Sequence, residues 1–158
     1  MKPKILIVKA DYYCAIATGL QAAAEVTLNM KSISKVKYKI IEVPGVFEIP
    51  VIIAKNINKY DGFITLGCVI KGETPHFDFI SKTTFDAIMK LSVDHKKPIG
   101  NGIITALNIG QAGFRSSSED LPKGSKFNKP NKGSEAARAV LSILGILKNE
   151  SKWSSSKS

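Results

Sequence analysis

Apolar and polar positions along the chain change period several times, and each change marks an element. Lys4–Lys9 is a short buried-strand run. Over residues 14–30, Ile16, Leu20, Ala23, Ala24, Thr27 and Leu28 fall on one helical face. Val36–Val43 alternates as a strand does, with Tyr38, Ile40 and Ile41 apolar, and Pro44–Gly45 punctuates it. Ile49, Ile52, Ile53 and Ile57 mark a short helix in which Pro50 is tolerated because it falls in the first turn. Gly62–Ile70 is the most hydrophobic strand and is predicted to be central. A helix begins near His76, its stripe formed by Ile80, Thr84, Ala87, Ile88 and Leu91. Pro98 precedes a fourth strand, Ile99–Ala106, and a short helix follows over Asn108–Arg115. Residues 116–131 break the rhythm with a long polar loop, of a length that in compact domains is usually functional or disordered. The last helix is predicted over residues 133–148, with Ala136, Ala137, Val140, Leu141, Leu144 and Leu147 facing inward.

Strands alternating with helices imply parallel strands joined by right-handed crossovers. Four parallel strands covered by helices on both faces, an α/β domain in three layers, is the simplest architecture. The alternative is a domain that relies on neighbouring subunits to cover exposed helix faces. Residues 1–150 form a single domain and residues 151–158 a polar tail. No internal repeat is present.

Bulk properties narrow the function. The chain has 158 residues, 44% of them hydrophobic, enough for a real core. No apolar run is long enough to span a membrane, and Ile5–Val8 is too short for a signal peptide, so a cytoplasmic location is expected. The formal net charge is +10, but the excess is lysine spread over many segments, and the only arginines are Arg115 and Arg138. Without the aromatic–basic interleaving that stacks bases, a solvated basic surface with a site for an anionic substrate is favoured over nucleic-acid binding. Cys14 and Cys68 form neither a metal-like nor a redox-like spacing and read as structural thiols. Two histidines as differently placed as His76 and His95 argue against a metal site, and Gly100–Asn101–Gly102 lies within a strand and lacks the third glycine of a nucleotide fingerprint.

Open α/β sheets bind ligands at the carboxyl ends of their strands. Three such ends carry polar or glycine-rich turns: Asp11–Tyr12–Tyr13, Pro44–Gly45–Val46–Phe47–Glu48, and Lys71–Gly72–Glu73–Thr74–Pro75 leading into His76. Parallel pairing brings them to one edge and predicts a cleft with aromatic walls (Tyr12, Phe47), a carboxylate (Glu48) and a histidine (His76), a residue type suited to proton transfer near neutral pH. Each also has a plainer reading. Tyr12 would pack on the first helix, Phe47 would staple the start of its helix, Glu48 would serve the helix dipole, and His76 would only start a helix beside Asp78. Lys71 reads as a surface charge and His95 as a solvated loop residue.

Five motifs in register carry a resemblance that these residues singly do not. VPGVFEIP at 43–50, GCVIKGETPHFDF at 67–79, NGIIT at 101–105, Gln111-Ala with Arg115, and NKGSEAA at 131–137 resemble the 6,7-dimethyl-8-ribityllumazine synthase family, from the first strand to about residue 148. The resemblance implies a flavodoxin-like three-layer α/β/α sandwich with a four-stranded parallel sheet. It implies a transferase of riboflavin biosynthesis that condenses 5-amino-6-(D-ribitylamino)uracil with 3,4-dihydroxy-2-butanone 4-phosphate, without metal or organic cofactor. It places Tyr12 where the family stacks an aromatic ring on the pyrimidine, and Val46, Phe47 and Glu48 against the ribityl chain and ring. Cys68, Val69 and Ile70 match the strand end that reads the uracil edge. Glu73 and Thr74 match the phosphate-holding turn, Arg115 the phosphate-binding arginine, and Lys132 a nearby basic group. His76 matches the proton-transfer residue.

Two departures stand out. Asn101 occupies a position where many relatives carry an apolar aromatic beside the pyrimidine, and the 116–131 loop is longer than in most relatives. The resemblance implies an active site between adjacent subunits of a pentamer; the longer loop, in a region that influences contacts between pentamers, favours a free pentamer or decamer over an icosahedral shell. The rival readings are a catalytically silent flavin-like binder or scaffold, and a basic nucleic-acid-binding α/β domain. The presence of both His76 and Arg115 favours the enzyme.

Overall fold

A computed structural model describes residues 2–30, 36–117 and 131–145. Four strands, β1 (Lys4–Ala10), β2 (Lys37–Val43), β3 (Gly62–Ile70) and β4 (Ile99–Ala106), alternate with five helices, α1 (Cys14–Leu28), α2 (Ile49–Asn56), α3 (His76–His95), α4 (Ile109–Ser116) and α5 (Lys132–Ile143). All three strand pairings are parallel, in the order β2-β1-β3-β4. The chain is thus an α/β fold with the strand order of flavodoxin-type sheets.

The inner strands explain the apolar runs. β1 is buried from Ile5 onward and β3 along almost its whole length, because helices shield both faces. Alternation sends Ile5, Ile7, Ile64, Leu66 and Ile104 to a core shared with α1 and α5, and Leu6, Val8, Phe63 and Ile103 to a core shared with α2 and α3. Pro50 lies in the first turn of α2, as expected.

Backbone proximity explains two glycines. A Cβ on Gly133 would lie 2.1 Å from the Leu20 carbonyl oxygen, and one on Gly100 would lie 2.2 Å from that of Ala136. The start of α5 therefore rests directly on α1, and its middle directly on β4. Asn131 fixes that start: Oδ1 accepts from the Gly133 N–H (2.8 Å) while Nδ2 donates to the carbonyls of Ser116 (2.8 Å) and Gly19 (3.4 Å).

Three expectations change. The last helix, predicted over 133–148, spans Lys132–Ile143 and is closed by Gly145, whose φ of 73° is the left-handed conformation that ends helices; residues 146–148, Leu147 among them, lie outside the described residues. His95 ends α3 rather than sitting in a loop, and the chain turns at Lys96 with a left-handed φ of 53°. Cys68 is buried, but Cys14 opens α1 as an exposed free thiol. The 116–131 loop falls mainly on residues 118–130, and the tail on 151–158; both segments lie outside the described residues.

Candidate active site

The carboxyl edge of the sheet gathers the three predicted turns. The Asp11 N–H donates to the Val43 carbonyl (3.0 Å), carrying the β1–β2 ladder one step past the strands and setting the first two turns side by side. The Lys71 N–H donates to the Ala106 carbonyl (2.9 Å) and extends β3 against β4. Between these turns lies a cleft of about 400 Å³, within the usual range for small-molecule sites. Tyr12, Val46, Phe47, Glu48, Cys68, Val69, Ile70 and His76 all line it.

Exposure decides between the readings of the aromatic residues. Tyr12 is 76% exposed and Phe47 61% exposed, so neither ring is spent on packing. Tyr13, edge-on to Tyr12 with ring centroids 5.0 Å apart, is the one that packs against the core. Burial, followed by the neighbouring Tyr12 and Cys68, raises its phenol pKa. Val46 is buried against β3 because residue 67 is glycine: a Cβ there would lie 2.8 Å from Val46 Cγ1.

Glu48 keeps part of its plainer reading. Its Oε2 accepts from the Gly45 N–H (3.0 Å), tying the turn to the 3-10 segment Val46–Glu48 ahead of α2. Oε1 makes no hydrogen bond within the described residues. Burial pushes the Cys68 thiol up to about 11, so it stays a neutral thiol near pH 7 and does not act as a nucleophile there.

His76 is the first residue of α3, exposed on the cleft wall, with Pro75 as its N-cap. Every residue of the turn before it, Lys71–Pro75, is exposed. Among the described residues, the amides of Gly72, Glu73, Thr74 and His76 donate no hydrogen bond within the chain. Free amides at a helix N-terminus suit an anion such as phosphate. Among the described residues no three of His, Cys, Asp and Glu are grouped as a metal ion would need.

Of the expected site residues, Glu73, Thr74, Asn101, Arg115 and Lys132 do not line this cleft; Glu73 and Thr74 sit in the exposed turn just before His76. Asn101 pairs with Thr65, three positions short of the Cys68–Ile104 pair, and its Oδ1 accepts from the Ile103 N–H (3.0 Å). Arg115 lies exposed in the last turn of α4. Lys132 opens α5 and pairs with Glu135 (3.2 Å). The cleft also takes in Tyr13, Pro44, Gly45 and Ile80, which the sequence reading left out of the site. Membership of two predicted turns could have flagged the first three; Ile80 carried only a helix-stripe signal.

Residues 2–148 match the family profile described as 6,7-dimethyl-8-ribityllumazine synthase. Relatives that bear that name include the following three. The Agrobacterium fabrum protein is 39% identical over 93% of this chain and 96% of its own length. The Bartonella tribocorum protein is 39% identical over 93% and 91%. The Rhodopseudomonas palustris protein, 6,7-dimethyl-8-ribityllumazine synthase 1, is 39% identical over 90% and 85%. A profile match across nearly the whole chain, and relatives matched over nearly their whole length, agree with the strand-edge cleft: the chain belongs to the 6,7-dimethyl-8-ribityllumazine synthase family.

Proposed function

We propose that this chain is a transferase that condenses 5-amino-6-(D-ribitylamino)uracil with 3,4-dihydroxy-2-butanone 4-phosphate to 6,7-dimethyl-8-ribityllumazine, releasing phosphate and water in the penultimate step of riboflavin biosynthesis. The observation that carries this reading is the strand-edge cleft, where exposed aromatic rings, a strand end and a helix-start histidine come together, with an exposed turn of free amides immediately before that histidine. The Tyr12 ring face stacks on the pyrimidine. The ends of Cys68, Val69 and Ile70 read the uracil edge, and Val46, Phe47 and Glu48 contact ring and ribityl chain. Glu73 and Thr74 offer backbone amides, and Thr74 its hydroxyl, to the phosphate.

In this reading the substrate amine attacks the butanone carbonyl, water leaves to give an imine, phosphate is eliminated, and the ribitylamino nitrogen closes the ring on the remaining carbonyl with loss of a second water. His76 transfers protons in these steps, and holding two substrates together supplies much of the rate. No metal or organic cofactor takes part. Arg115 and Lys132, absent from the cleft of their own chain, serve the phosphate site of a neighbouring subunit in a homo-oligomer, a pentamer or decamer in the cytoplasm. Asn101, too deep along β4 for its own cleft, belongs with that second half. Exposed Phe79, Met89 and Val93 on α3 supply apolar surface for such an assembly.

The test is lumazine formation from the two named substrates, followed by absorbance. His76→Ala is expected to lower kcat about 100-fold or more while a substrate analogue still binds. Arg115→Ala removes charge-assisted hydrogen bonds worth about 1.5–3 kcal/mol, roughly 10- to 100-fold in KM for the butanone phosphate. Mixing the two variants after dissociation and reassembly should restore activity at about a quarter of the sites, because each interface draws its halves at random. No lumazine from the unaltered protein would overturn the function; no recovery on mixing would overturn the shared site.

A further inference from the structure

Lys9 is the one charged residue in the core among the described residues, 6% exposed near the end of β1. Alternation places it on the α1 face of the sheet with Ile5 and Ile7. Its partner across the β1–β2 ladder is Glu42, and the two form an ion pair of 2.9 Å; Asp11 Oδ1 lies 3.9 Å from the same ammonium. One buried ammonium thus joins the end of β2 to the first residue of the turn that carries Tyr12 and Tyr13.

A lysine here is a poor way to gain stability. Burying a cation costs several kcal/mol unless it is well paired, and replacing a buried ion pair by an apolar side chain of similar size is often neutral or stabilising. What the pair does supply is geometry. The cleft has one wall from the turn after β1 (Tyr12, Tyr13) and another from the turn after β2 (Pro44–Glu48). Beyond the strands, one backbone bond, from Asp11 to Val43, links these turns directly. The Lys9 ion pairs add a second tie at the same level, anchored in the core, with both carboxylates reaching in from more exposed positions.

We propose that Lys9 is a positioning residue: through Asp11 and Glu42 it holds the Tyr12–Tyr13 turn in fixed relation to the Pro44–Glu48 turn and so sets the cleft width for a flat ring. The role of that width rests on the proposed function. Lys9→Met keeps most of the length of the side chain and removes its charge. It is expected to leave the circular dichroism spectrum unchanged, to raise KM for the ribitylaminouracil roughly tenfold, and to leave kcat and KM for the butanone phosphate within about twofold. Lys9→Arg should recover most of the loss. Should Lys9→Met fail to fold, Asp11→Asn and Glu42→Gln, at the exposed partners, should show the same KM split in smaller measure. A lowered melting temperature with both KM values unchanged would overturn the proposal. Hydrogen exchange gives a reading free of substrate: Lys9→Met should speed exchange of the amides at residues 11–13, and unchanged exchange there would overturn the clamp. Absence of lumazine formation by the unaltered protein would overturn the function instead, leaving the exchange result to decide the clamp.

Discussion

Helix α5 has twelve residues and buries five of them against α1 and β4, whereas α3 has twenty and buries only Ser81, Thr84 and Ile88. The buried residues of α5 are small or aliphatic, and glycines let its backbone touch both α1 and β4. Two of the three buried on α3 are hydroxyls, and Ser81 Oγ and Thr84 Oγ1 have no hydrogen-bond partner among the described residues. Phe79, Met89 and Val93 of α3 are each more than 60% exposed. The core side of α5 finds its cover within the chain, whereas α3 buries little and leaves large apolar side chains exposed. The catalytic proposal divides the same way: the cleft beside α3 holds the ring-binding and proton-transfer candidates, and the helices α4 and α5 carry the basic ones.

The sealed face should break abruptly. A methyl group on Gly133 would lie 2.1 Å from a backbone oxygen, which cannot swing away as a side chain can. Gly133→Ala is therefore expected to cost more than about 3 kcal/mol, at the high end for a single substitution. Gly113→Ala, on α4 where a Cβ meets nothing within 4 Å, should instead stabilise by about 0.5–1 kcal/mol through helix propensity. Urea denaturation of the two variants measures the contrast, and equal midpoints would mean that α5 does not rest on α1 as described.

The open face should fail differently. Val93→Lys and Phe79→Lys place charge at exposed positions, where substitutions usually change the stability of the subunit fold by no more than about 0.5 kcal/mol. On an assembled face the same charges would be buried unpaired. The expected result is a smaller particle in sedimentation with an unchanged circular dichroism spectrum. Because the proposed site spans two subunits, lumazine formation should be lost with the assembly. A variant that keeps its sedimentation coefficient would show that α3 stays in water.

This contrast explains what the sequence made legible. Strand and helix positions followed from period, because β1 and β3 are buried on both faces and α1 on one. The stripe read on α3 named Ile80, Thr84, Ala87, Ile88 and Leu91, yet only Thr84 and Ile88 are fully buried within the chain. Period reports which face is apolar, not whether the cover comes from the same chain. The turns of the site were legible because alternation of strands and helices forces parallel strands and gathers their ends on one edge. Glu48 was not settled by its position, since a carboxylate in a first turn suits a cap and a ligand equally, and the bond to Gly45 shows that one oxygen serves the cap. The depth of Asn101 depends on the β3–β4 register, which the order of motifs does not contain.

The last predicted effect, confined to alkaline pH, lies at the rim of the sealed core, where Cys68 faces the α1–α5 side and borders the cleft. Burial raises its pKa from 9.0 to about 11. In the unfolded chain the thiol ionises near its ordinary value, while the folded chain keeps it protonated for about two further pH units. Between those values the unfolded state has fewer bound protons, so stability falls as pH rises. The contribution is fully present below pH 9 and is lost on approaching pH 11. Cys68→Ala removes this titration, so its melting temperature, measured relative to the unaltered protein, should rise across that window by several degrees. The exposed Cys14 supplies the control: at pH 8 an alkylating reagent should modify one thiol per chain quickly and the second only after denaturation. Rapid modification of both would mean that the thiolate of Cys68 is accessible from the cleft, and that the sealed face opens at its rim.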